Sequence, residues 1–160
     1  MCVGSTCVRA AVLRSWEQPV TITASSSSSA VRRGGCLCGA VRFEVPDAPE
    51  APHLCSCPHC QKLSGGPVMS WVSFPVAGLV WTGREPVWFY TYAQETRRGR
   101  CPECGSQLCA QDDGAAGIAF TFSALDDSSD LVPAFQSYAH DAVLWLRPVT
   151  DTRPTAAAGS

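Results

Sequence analysis

Cys55-Ser56-Cys57-Pro58-His59-Cys60 places three thiols within six residues, and the pairs Cys36-Leu37-Cys38 and Cys101-Pro102-Glu103-Cys104 flank it. Cysteines one or two residues apart can turn their sulfurs onto one ion at about 2.3 Å without straining the backbone, which is the spacing of tetrahedral metal sites. Seven thiols are too many for one such site and one short of two closed ones, so they divide as four plus three. The outer pairs sum to four and would close the chain around everything between them, a structural centre of Cys36, Cys38, Cys101 and Cys104. Cys55, Cys57 and Cys60 then form a three-sulfur centre with one position open to water or substrate. Zinc suits both, two ions per chain, although iron also accepts four sulfurs. His53, two residues before Cys55, is the one neighbour that could close the second set. His59 is adjacent to Cys60 and is expected on the exposed face of a helix.

The surrounding residues support metal-binding turns. Gly34, Gly35 and Gly39 bracket the first pair and are expected to supply unusual backbone dihedrals. Pro58 suits the first turn of a helix and Gly65-Gly66 its end, which predicts a short helix over Pro58 to Ser64 with Cys57 at its N-terminus, where a thiolate is favoured.

Beyond the clusters the pattern is β. Val41, Phe43 and Val45 alternate with Arg42 and Glu44 and predict a strand ended by Pro46, followed by a loop over Asp47 to Pro52. Strands are expected at Met69 to Phe74, Gly78 to Trp81, Val87 to Tyr92, Gln107 to Gln111 and Ile118 to Ser123. Arg97 to Arg100 reads as the lead into the last pair, and Phe135 to Leu146 as a last strand with Trp145 packing inward. Cys109 is expected as a small buried residue, and most aromatic residues as core, with Trp71 a candidate wall beside the second cluster. No long amphipathic helix is predicted, so the class is mainly β. Residues 1–33, with the serine run Ser25 to Ser29 and the isolated Cys2 and Cys7, read as a low-complexity leader. The domain is expected over 34–148, with a flexible tail from 149.

At 160 residues and a formal charge of −2 the chain has room for one real core and needs no disulfide scaffold. It lacks the basic stripe of a nucleic-acid surface, and no apolar run approaches the ~20 residues of a membrane span. Arg9 and Arg14 bound the short apolar patch near the start, so no signal peptide is read there. A reducing, cytoplasmic setting is the expectation for clustered, metal-bound cysteines.

The stretches Gly34-Gly-Cys-Leu-Cys-Gly-Ala-Val-Arg-Phe43, Cys55-Ser-Cys-Pro-His-Cys-Gln-Lys-Leu-Ser-Gly65, Ser70-Trp-Val-Ser-Phe74 and Arg100-Cys-Pro-Glu-Cys-Gly-Ser106 resemble the glutathione-dependent formaldehyde-activating enzymes, whose domain also occurs in centromere protein V. The resemblance runs from about Gly34 to Trp145. It implies the Mss-like fold, coiled antiparallel sheets and hairpins around zinc, and the same four-plus-three division. It further implies a carbon–sulfur lyase type of reaction, in which glutathione adds to formaldehyde to give S-hydroxymethylglutathione. Glutathione carries two carboxylates, so Lys62, Arg97 and Arg98 become candidates to hold it by their positions. Arg100 departs from the resemblance, since an aromatic residue is expected before the last pair. The rival class is a non-enzymatic zinc domain used for protein interaction or metal holding.

Overall fold

The computed structural model describes residues 30–91 and 95–154, and the serine run, Cys2, Cys7, Tyr92 and the end of the tail lie outside them. Among the described residues the architecture is mainly β, with two sheets and one short α-helix. In chain order the elements are β1 (Val31–Gly35), β2 (Arg42–Pro46), β3 (Glu50–Cys55), α1 (Pro58–Ser64), β4 (Met69–Pro75), β5 (Val80–Trp81), β6 (Val87–Tyr90), β7 (Thr96–Arg100), β8 (Gln107–Asp112), β9 (Gly117–Phe120) and β10 (Phe135–Ser137). Short 3-10 turns cover Phe122–Ala124 and Ala139–Asp141. The small sheet runs β1-β2-β5 and the large one β10-β3-β4-β9-β8-β7-β6. Among the described strands each pairing is antiparallel except β10 with β3, which is parallel and sets Ser137 opposite Cys55.

Alternation along β4 explains how the large sheet serves two purposes. Side chains on a strand point to opposite faces in turn. Val72 and Phe74 therefore join the main core, with Val41, Phe43, Val45, Leu108, Ile118 and Phe120. Met69 and Trp71 join a second cluster with Cys55, Cys60 and Ala110. The two sheets meet where Phe43 of β2 stacks on Phe120 of β9, ring centroids 4.0 Å apart, with Trp81 edge-on to Phe43 at 5.8 Å.

Several expectations change. β3 occupies much of the segment expected to be a loop, and its pairing with β4 is irregular between Glu50 and His53, where Ala51 has φ 47. Arg97 to Arg100 belong to β7 and are not a mere lead-in. The strand expected to reach Ser123 stops at Phe120, and the one expected over Phe135 to Leu146 stops at Ser137. Trp145 is 75% exposed, so it does not pack inward. Gly39 has the positive φ expected of a metal-binding turn, but Gly34 is needed for space, because a Cβ there would meet the Ala124 carbonyl oxygen at 2.2 Å.

The first strand begins at Val31, and Arg32 within it donates to Asp47 and Asp130, each at 2.8 Å. At the other end Thr152 N–H donates to Ala134 at 2.8 Å and Arg153 lies over the Phe135 ring, so residues up to 154 fold back on β10.

Candidate functional site

The two outer cysteine pairs form matching turns. Gly39 N–H bonds the Cys36 carbonyl at 3.1 Å and Gly105 N–H bonds that of Cys101 at 3.0 Å. Backbone N–H groups point at sulfur in both, Val41 to Cys36 Sγ at 3.2 Å and Glu103 to Cys101 Sγ at 3.4 Å. Ser106 links the turns, its Oγ accepting from Leu37 N–H at 3.2 Å and lying 3.1 Å from Cys104 Sγ. The four sulfurs all lie within 4.8 Å of one another, with Cys36 to Cys38 at 3.5 Å and Cys38 to Cys101 at 3.8 Å. A tetrahedron with metal–sulfur bonds of about 2.3 Å has edges of about 3.8 Å. The donor set and its spacing thus suit one tetrahedral ion. All the described cysteines are free thiols.

The second centre is built locally. β3 delivers Cys55, the chain turns at Ser56, and Cys57 is the N-cap of α1 with Pro58 next to it. Cys60 follows in the first turn, its N–H directed to Cys57 Sγ at 3.4 Å. The sulfurs of Cys55, Cys57 and Cys60 lie within 4.8 Å of one another. His53 is not in this group. Its ring stacks on Phe135 at 4.7 Å, and its Nδ1 is 2.8 Å from the Ala51 carbonyl oxygen. His59, expected to be exposed, is half-buried.

The turn is anchored from behind by the end of the fold. Ser56 is fully buried, its N–H bonds the Ser137 carbonyl at 3.0 Å and its Oγ accepts from Gln136 at 2.7 Å. Gln61 of α1 donates to the Asp141 carbonyl at 2.9 Å. Such bonds fix the sulfurs before any ligand arrives.

Electrostatics differ sharply between Cys60 and Cys55. Cys60 is pushed down to about 5, first by its hydrogen bond with Cys55, with Trp71 and Arg98 adding to it against the opposing effect of burial. Cys55, the other member of that pair, is pushed up by the Cys60 bond and by burial. Cys57 is the least buried of the three. Cys109 is buried in β8, and burial pushes its thiol up to about 12, which suits a core residue.

Of the sequence candidates for substrate contact, the fold brings two to this centre. Lys62 lines a cavity of about 440 Å3 together with Cys57, Pro58, His59 and Tyr138. Arg98 lies behind Cys60, its two terminal nitrogens 3.8 and 3.9 Å from Sγ and its guanidinium over the Trp71 ring. Arg97 lines no part of that cavity. It sits over Trp88 and donates to Gln111 at 2.5 Å. Trp71 is a buried floor beneath Cys60 and not an open wall.

Tyr138 was not legible as a site residue, since nothing in its neighbourhood signals chemistry. Its left-handed backbone, φ 54 and ψ 41, is uncommon outside glycine and brings a half-exposed ring to the cavity. A larger cavity, about 700 Å3, lies beside the four-cysteine centre and is lined by Cys36, Cys104, Ser106, Arg42 and Asp126 among others. A four-sulfur set leaves no free position on a tetrahedral ion, whereas the smaller cavity adjoins Cys57 of the three-sulfur set.

The family model described as glutathione-dependent formaldehyde-activating enzyme matches residues 31–141, which takes in both cysteine centres. The chain belongs to this family. A crystal structure offers a further comparison, at the level of fold alone. A Rhodobacter sphaeroides protein from structural genomics is 17% identical with a TM-score of 0.51, covering 61% of this chain and 90% of its own. No curated protein matches the chain. Among the described residues no helix is long and apolar enough to cross a membrane.

Proposed function

We propose that this family member is a zinc-dependent, carbon–sulfur lyase-like enzyme that adds a thiol, glutathione, to formaldehyde or a related small aldehyde. One observation carries the reading: three sulfurs converge at a preformed centre whose Cys57 opens on a cavity walled by a cation. Four sulfurs at the other centre fit a closed structural zinc. Three fit a zinc with a vacant ligand position, which would supply a cation to hold the incoming sulfur as thiolate at neutral pH. Thiolate-rich sets of this size favour zinc over hard cations.

The chain's own groups then do the rest. Lys62 offers its ammonium group to a carboxylate of the thiol substrate, and Tyr138 bounds the cavity opposite α1. In the addition, sulfur forms a bond to the carbonyl carbon, the C=O π pair moves to oxygen, and the thiol proton ends on that oxygen. No oxidant or reductant is required. The setting proposed is cytoplasmic, where glutathione and reduced cysteines coexist.

Metal content is the first check. Elemental analysis and native mass spectrometry of fresh protein should find two zinc ions per chain, or one with a partly filled second. A single ion with alkylatable thiols at Cys55, Cys57 and Cys60 would count against the open centre, and iron at both would sink the zinc assignment.

Activity is the second. The protein should accelerate exchange among glutathione, formaldehyde and S-hydroxymethylglutathione, seen as line broadening in exchange NMR, while Cys57→Ala should not. The uncatalysed addition is easy, so the comparison must be made at equal protein mass. If parent and variant both behave like buffer over a range of thiols and aldehydes, the non-enzymatic zinc domain becomes the better account.

A further inference from the structure

Arg98 is only 7% exposed, and among the described residues no ion pair joins it to a carboxylate. Its Nε is buried without a hydrogen-bond partner. A guanidinium cannot shed its charge, and burying one without an anion is unfavourable enough that a compensating charge is expected nearby. What its terminal nitrogens face is Cys60 Sγ, at 3.8 and 3.9 Å, with the Trp71 ring 4.9 Å from its central carbon. The position is imposed by β7, where Arg98 stands opposite Ala110 of β8, a residue of the same cluster as Cys55 and Cys60.

We infer that Arg98 is the fixed counter-charge of the three-cysteine centre, and that it biases that centre toward an anionic thiolate as fourth ligand over a neutral one. The inference rests on the open-centre reading above. Three thiolates and a divalent cation leave one negative charge, and the guanidinium cancels it. An incoming thiolate then meets a neutral assembly instead of an anionic one. Charge-assisted N–H···S contacts also draw density from Cys60, so Cys60 becomes the least basic sulfur and the incoming one is held more firmly.

Among the described residues the four-cysteine centre has no equivalent buried, unpaired arginine. The N–H groups of Val41 and Glu103 that donate to its sulfurs are neutral, and the arginine near Cys36, Arg42, is paired with Asp126. A centre with four thiolates needs no fifth ligand and gains nothing from being made receptive to one. Arg98 is thus a positioning residue of the open centre, one that acts through Cys60.

The test uses the full chain loaded with cobalt(II), whose visible absorption reports ligands at each centre, titrated with 2-mercaptoethanol or with imidazole. The parent should bind both at the three-cysteine centre. Arg98→Met should need about tenfold or more 2-mercaptoethanol for half-saturation, the scale expected for removing one nearby charge, with imidazole changed by no more than about twofold. Arg98→Gln should show the same selective loss, and Arg98→Lys, which keeps the charge, should stay near the parent. Unchanged binding of both ligands in Arg98→Met and Arg98→Gln would overturn the inference and reduce Arg98 to packing on Trp71. Equal weakening of both ligands, or loss of cobalt from the three-cysteine centre alone, would overturn it in favour of a purely structural role. A parent that binds neither ligand would instead refute the open centre itself.

Discussion

Cys101→Ala should yield insoluble or molten protein, with the near-ultraviolet circular dichroism of its aromatic core lost and neither centre filled to stoichiometry. Cys101 is 1% exposed and belongs to the main core cluster, and its sulfur is one of four that tie residues 36–38 to residues 101–104. Structural zinc contributes about 10–16 kcal/mol to folding in zinc-finger peptides, whereas whole domains are stable by about 5–15 kcal/mol. Losing one ligand of such a centre therefore removes most or all of the margin. Chelation of the parent should have the same effect. Cys57→Ala is the counterpart: Cys57 is less buried and its centre is drawn from one short segment, so the variant should stay folded and lose only the metal at that centre. Equal collapse of the two variants would show that both centres are structural.

Phe120→Ala should lower stability by about 3–5 kcal/mol, measured as a shift in the urea midpoint with metal kept saturating. The ring is fully buried, stacks on Phe43 at 4.0 Å, and lies at 6.3 Å from Phe74 and 6.1 Å from Trp81. Removing it deletes the contact that joins the two sheets and leaves a cavity between strands that hydrogen bonding holds in place, so little collapse can compensate. A loss below about 1 kcal/mol would mean that the sheets are held together by the metal centre and not by this packing. Saturating metal cannot restore the lost core contacts, which separates this effect from that of Cys101→Ala.

The cysteine clusters were legible in sequence because spacing of two or three residues is local, and counting four ligands against three joined the distant outer pairs; Pro58 with Gly65 marked the bounds of α1. The strands of the aromatic core announced themselves by alternation. β3 did not, because Ala51-Pro52 looks like a loop and the irregularity that accommodates it depends on β4. β7 was obscured for another reason. Thr96-Arg97-Arg98-Gly99-Arg100 has no apolar alternation, since Gly99 is buried where a Cβ would strike Cys109 Sγ at 2.5 Å and Arg98 is buried against Cys60. Two adjacent arginines ordinarily indicate a solvated surface, so only the pairing of β7 with β6 and β8 could reveal that one lies over the half-buried Trp88 and the other faces Cys60. Tyr138 and Ser137 escaped for the same reason, as their value comes from β10 returning beside β3.

That parallel return has a temporal side. A ribosome delivers Cys55, Cys57 and Cys60 together, so their sulfurs are available to an ion almost as soon as they emerge. Their turn, however, is held by hydrogen bonds of Ser56 to Ser137 and Gln136 and of Gln61 to Asp141, and the Gln136–Ser56 and Asp141–Gln61 bonds each join residues 80 apart, so the clamp is made long after the thiols. During synthesis the three-cysteine turn is thus unclamped for most of the time the domain takes to be made, while the four-sulfur set can come together once Cys104 is out. Order of emergence lets the four-sulfur set assemble before the other three thiols are locked in place, and thiols of nascent chains are most open to stray metals and oxidants in that interval.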